Sequence, residues 1–157
     1  MQFISPTKGE MNLIQVVKDI LEYVSEELDR TYKLIVGSDS QPHEDGTCFV
    51  SAIIIHRVGK GARYYYSKQV QKNIISMRQR IFYEASLSLD LADQVCRCLK
   101  EHGRDDLKVE IHLDVGTHGA TRELIKEVIG MVVGSGFDAK IKPDACGASK
   151  VADKYTK

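Results

Sequence analysis

At 157 residues the chain has the length of one domain, enough to bury most of the surface that its unfolded form exposes. Hydrophobic residues make up 43% and charged residues 28%, a balance that excludes disordered and fibrous classes. The formal net charge is zero, and the first long apolar run is broken by Gln15, Lys18, Asp19 and Glu22, so neither a membrane span nor a signal peptide is expected and the default compartment is the cytoplasm.

Residues 7–29 read as an amphipathic helix, with Leu13, Val17, Ile20, Val24 and Leu28 in one stripe and Thr7 and Glu10 spaced as a capping box. That stripe covers either the chain's own sheet or a partner's surface. Lys33–Ser38 (KLIVGS) is a predicted strand, and Thr47–His56 (TCFVSAIIIH) a second. Between them Pro42, Asp45 and Gly46 supply hairpin-turn chemistry. Ala62–Val70 is a third strand carrying Tyr64, Tyr65 and Tyr66, entered through Gly59 and Gly61, so the three form an antiparallel meander.

A long helix follows over Ser76–His102, stopped by Gly103. Lys108–Leu113 is a fourth strand, a glycine-rich turn over Gly116–Gly119 leads to a helix over Thr121–Val133, and Phe137–Lys142 is a fifth strand. A short helix over Gly147–Tyr155 ends the pattern. Helix, three strands, helix, strand, helix, strand, helix describes one α/β domain over residues 1–157, its meander joined to a parallel half-sheet by right-handed crossovers. Cys48, Cys96, Cys98 and Cys146 lack metal-finger or Cys-x-x-Cys spacing and read as buried free thiols.

Four acids stand where an acid needs a reason. Asp39 follows the strand LIVGS and Asp114 follows VEIHL. If those strands are neighbours, both carboxylates leave the same sheet edge, and two like charges that close require a cation or a shared proton. Glu84 begins a row with Ser88, Leu91, Val95 and Cys98 that faces the core, so it needs a partner. Asp153 lies in the final helix. An all-oxygen set of this kind favours Mg²⁺ or Mn²⁺, one ion or two.

Charge is also segregated along the chain. Residues 1–45 carry nine acids against four bases, whereas residues 46–83 carry seven bases and no acid. Arg57, Lys60, Arg63, Lys68, Lys72 and Arg78 are therefore candidates for tracking a phosphate backbone, the alternative being solvated strand faces. The tyrosine run either stacks bases or alternates between core and surface.

This order of elements and acids resembles the ribonuclease H-like superfamily over residues 33–155, and the segments GSDSQ, LDVGTHGAT, GMVVGSGFDAKIKPDA and AS-x-x-ADK look like its YkuK-type bacterial family. The resemblance implies a mixed five-stranded sheet flanked by helices, with the N-terminal helix as an addition. It also implies that Asp39, Glu84, Asp114 and Asp153 are the metal-binding and catalytic residues of a nuclease acting on RNA, RNA–DNA hybrid or structured DNA. Ribonucleases H often carry a histidine in the loop before the last helix, and here Pro143–Gly147 holds none. His118 or His43 stands in as an accessory residue, while Lys142 and Lys150 pair with the carboxylates or with a phosphate.

Two other readings stay open. A nucleic-acid-binding module can keep the fold and lose turnover. Asp114-Val-Gly-Thr-His-Gly also resembles the phosphate loop of sugar kinases and actin-like ATPases, which hold nucleotide between two such domains where this chain has length for one.

Overall fold

The computed structural model describes residues 1–115, 122–141 and 147–156. In chain order they form β1 (Phe3–Ser5), β2 (Gly9–Met11), α1 (Leu13–Glu26), β3 (Tyr32–His43), β4 (Gly46–Arg57), β5 (Ala62–Gln71), α2 (Met77–Glu101), β6 (Val109–His112), α3 (Arg122–Gly134), β7 (Asp138–Lys140) and α4 (Gly147–Thr156). The described strands make one mixed sheet in the order β2-β1-β5-β4-β3-β6-β7. β3, β4 and β5 are the expected antiparallel meander, and β6 joins β3 in parallel, followed by β7 in parallel.

The sheet therefore has seven described strands where five were expected. The predicted five are its β5-β4-β3-β6-β7 portion, and a small hairpin, β1–β2, extends the β5 edge through Ile4 opposite Tyr66. This hairpin replaces the first turns of the expected N-terminal helix. Gly9 at φ 75° lets the chain reverse, and Phe3 and Met11 gain buried core positions that a helix starting at residue 7 would not give them. The Thr7–Glu10 box is accordingly not formed. Asn12 caps α1 instead, in a reciprocal capping box with Gln15 at 2.8 Å each way. Leu28 lies beyond the helix end and is exposed.

The sheet packs helices on both faces. Leu34, Val36, Ile53, Ile55, Tyr65 and Ile111 share the larger core with buried residues of α1, α2 and α3. α1 thus covers its own sheet, with Val16, Val17, Ile20 and Val24 fully or nearly fully buried. On the opposite face Ile35, Ile54, Cys48 and Val50 pack against Val151 and Ala152 of α4. β4 is buried on both faces, which is why its sequence runs apolar with little alternation.

The tyrosine run alternates, as one of its two readings held. Tyr65 enters the larger core, and its hydroxyl donates to buried Asp19 of α1. Tyr64 and Tyr66 face α4: the Tyr64 and Tyr155 hydroxyls lie 2.7 Å apart, and Tyr66 stacks on Tyr155 with centroids 3.7 Å apart. α2 matches its expected span to within one residue at each end. Ser76 caps its start, and Gly103 at φ 72° closes its end, with Arg104 N–H donating to Leu99 C=O at 2.9 Å. Among the described residues no helix is long and apolar enough to cross a membrane. Cys48, Cys96 and Cys98 are free, with Cys96 half-buried; Cys146 lies outside the described residues.

Candidate metal centre

The site follows from the register of two strands. β3 and β6 run in parallel, with Leu34 beside Val109 and Gly37 beside His112. Two residues farther along, Asp39 and Asp114 occupy equivalent positions on the same sheet face. β6 stops at His112, but β3 continues to His43 and pairs with β4 through a tight turn at Glu44 and Asp45. The expectation that β3 ends at Ser38 is thus corrected: the meander hairpin carries the strand on, and Pro42, its lack of an N–H harmless there, lies beyond the last residue that pairs with β6. Asp39 marks the end of the β6 pairing rather than the end of its own strand.

Asp39 is buried, and its carboxyl shares a hydrogen bond with Asp114. Burial pushes its pKa up to about 7, with Asp114 adding to the rise and the exposed Asp153 of α4 contributing a smaller repulsion. Glu84 comes from α2 on the other side of the sheet and is only 8% exposed. Burial pushes it up to about 8; the Ser40 hydroxyl donates to its Oε2 and works the other way, while Asp39 and Asp114 raise it further. Asp39 thus feels Asp114 and Asp153, and Glu84 feels Asp39 and Asp114. Asp39 and Asp114 form the contact pair, and Glu84 and Asp153 flank it. Among the described residues no three His, Cys, Asp or Glu side chains stand close enough together to enclose an ion as they are.

Two residues around Glu84 were missed by sequence reasoning. Ser40 shares the α2 side of β3 with Ser38, and Arg80 precedes Glu84 by one helical turn. Arg80 Nε donates to Ser40 Oγ at 3.2 Å and Nη2 donates to Ser40 C=O at 3.3 Å. With its lone pair engaged by Arg80, the Ser40 hydroxyl directs its proton to Glu84. The alternation in Ser38-Asp39-Ser40 was the available signal, since it puts the serines on the face opposite to Asp39. A third missed residue is buried His112, whose Nε2 lies 3.1 Å from Glu110 Oε1 and whose Nδ1 has no partner among the described residues.

The accessory candidates fare differently. His43 sits at the hairpin end, its Nε2 2.9 Å from Thr156 C=O, where it secures the C-terminal end of α4. His118, Lys142 and the side chain of Lys150 lie outside the described residues.

The basic candidates separate into two groups. Arg57 is buried against Tyr23, 3.9 Å above the ring centroid, and pairs with Glu27 at 2.8 Å and Glu26 at 3.3 Å. Lys60 pairs with Glu27 at 2.8 Å, and Arg63 with Asp19 and Glu26 at 3.3 Å each. These three neutralise the acidic side of α1, which explains why a run of bases follows a run of acids in sequence. Lys68, Lys72 and Arg78 are exposed.

A family model described as "Ribonuclease H-like" matches residues 15–157. The chain is 32% identical to a protein of Bacillus subtilis (strain 168) named "Uncharacterized protein YkuK", with 99% of this chain and 96% of that protein covered. No solved structure matches.

Proposed function

The chain belongs to the ribonuclease H-like family, and on that premise we propose that it is a divalent-metal-dependent nuclease that hydrolyses phosphodiester bonds in RNA, RNA–DNA hybrid or structured DNA. The observation that carries this reading is the contact of Asp39 with Asp114, with Glu84 raised by both and Asp39 repelled in addition by Asp153. Buried like charges are costly, and a hard cation relieves them by replacing the shared proton.

The donor set fits Mg²⁺ or Mn²⁺, since every candidate ligand is a carboxylate oxygen and neither thiol nor imidazole is among the four. Asp39, Glu84, Asp114 and Asp153 would hold the metal, which supplies Lewis-acid activation of water and stabilisation of the leaving oxygen. The chain's own residues prepare this centre. Asp39 and Asp114 give up their shared proton, Ser40 turns one oxygen of Glu84 toward itself, and Arg80 fixes Ser40. Asp153 of α4 is exposed, so it would meet the metal from the solvent side.

The test is cleavage of labelled hybrid, single-stranded and branched substrates by purified protein in Mn²⁺. Cutting by wild type and its loss in Asp39→Asn and Asp114→Asn supports the proposal. No cutting by wild type, or equal cutting by Asp39→Asn, contradicts it. Binding without cutting would leave a nucleic-acid-binding module of the same fold.

A further inference from the structure

The seven bases of residues 46–83 do not act as one patch. Arg57, Lys60 and Arg63 are held by α1, and Arg80 is held by Ser40. Lys68, Lys72 and Arg78 remain exposed, and of these Lys72 and Arg78 lie at the two ends of the connection between β5 and α2. Between them stands Ile75, which is 88% exposed, with Met77 also exposed next to the cap residue Ser76.

The exposure of Ile75 has a local cause. Ser76 is the N-cap of α2, so Ile75 occupies the position whose apolar side chain ordinarily folds back onto the fourth helical residue. That residue is Arg80, which is turned toward Ser40, so the usual apolar contact is missing. Ile75 is nevertheless held in place. Its backbone N–H donates to Gln79 Oε1 at 2.9 Å, and Gln79 N–H donates to Ser76 Oγ at 3.1 Å. Asn73, at φ 68°, turns the chain just before it. The result is a large apolar side chain presented to solvent on an ordered backbone, with Lys72 three residues before it and Arg78, which lies over the Phe82 ring, three residues after it in the chain. From Met77 to Glu84 is seven residues of helix, a rise of about 10 Å, so the feature borders the carboxylate centre.

We propose that Ile75, with Met77 beside it, is a contact for unstacked bases of a nucleic-acid strand whose phosphates meet Lys72 and Arg78. The inference rests on the nuclease reading for the class of polymer and adds to it where that polymer is gripped and in what state. Charge selects a polyanion, and apolar side chains of this size serve as wedges or pads against bases that have left a regular stack. Arg78 pairs with Glu127 at 2.7 Å, but both side chains are about half exposed or more, and such a surface pair exchanges readily for a phosphate.

The test is fluorescence anisotropy of the full chain with labelled single-stranded RNA, single-stranded DNA and a fully paired duplex, in EDTA and over a series of salt concentrations. Ile75→Ser is expected to weaken single-strand binding about five- to tenfold while leaving the salt dependence as in wild type. Lys72→Gln is expected to weaken binding to every probe and to lower the log–log salt slope by about one. Ile75→Ala, which keeps an apolar atom and a sound fold, should fall between wild type and Ile75→Ser; unchanged thermal melting checks the fold of each variant. Wild-type binding that both Ile75 variants match overturns the inference, as does an equal Ile75→Ser loss on paired duplex. If wild type binds none of the probes, the nucleic-acid reading itself fails.

Discussion

Asp39 and Glu84 carry an energetic cost that makes them informative. Their folded-state pKa values, about 7 and about 8, lie above the ordinary 3.8 and 4.5, so between those limits the native chain holds more protons than the unfolded one. Stability of the metal-free protein is therefore greatest near the ordinary carboxylate range and declines as pH rises toward 8. Thermal melting from pH 5 to 8 in EDTA is expected to show that decline. In Asp39→Asn it should be shallower but not absent, because burial still raises Glu84, and the variant should melt higher than wild type at pH 8. Mn²⁺ should raise the wild-type Tm most at pH 8, because binding displaces protons. A second residue-scale expectation concerns Ser40. Ser40→Ala removes the donor to Glu84 and strands Arg80, and calorimetry should find Mn²⁺ affinity about 10–100-fold weaker, with Ser40→Thr restoring much of it. Asp39 and Asp114 were readable as neighbours because each follows an apolar run that pairs in parallel, although β3 itself continues past Asp39, and Glu84 because its helical row is otherwise inward. Ser40 and Arg80 were not, since their role depends on α2 lying across β3, a contact between residues forty apart in sequence.

At the scale of elements, α4 is short, and beside the apolar packing of Val151 and Ala152 its hold on the sheet uses a few aromatic and polar contacts. Tyr155 lies against Tyr64 and Tyr66, and Thr156 is tied to His43 and near Gln41. Tyr155→Ala removes both ring contacts, each aromatic pair contributing about 0.5–1.5 kcal/mol beyond burial. A fall in Tm of several degrees is expected, since about 1 kcal/mol corresponds to about 2–4 °C at this chain length. Hydrogen exchange should speed up in α4 while the amides of α2 stay protected. Element reading from sequence was sound where periodicity is strong: α2, β4 and β5 have nearly their expected ends. It failed at the N-terminus, because Thr7, Glu10, Leu13 and Val17 fit a helical pattern whereas Phe3 and Met11 find burial only as a hairpin on the β5 edge. It also cut β3 short, because the polar run Ser38-Asp39-Ser40-Gln41 looks like a turn until β4 and two helices are seen to supply its partners.

For the molecule as a whole, the charge segregation of the sequence has two separate uses in space. Acids of α1 meet bases of β4 and β5 and lock the N-terminal helix to the sheet, whereas Asp39 at the β3–β6 end faces Asp114 and also feels Asp153. A net charge of zero conceals this, and only the fold distinguishes an Arg57 stacked on Tyr23 from an exposed Lys72. A metal bound among these mutually repelling carboxylates is tested most directly by the anomalous map of crystals soaked in Mn²⁺. The expected result is one or two peaks bonded to oxygens of Asp39 and Asp114, with Glu84 and Asp153 completing the set. Peaks elsewhere, or none at these carboxylates at millimolar Mn²⁺ and pH 8, would contradict it.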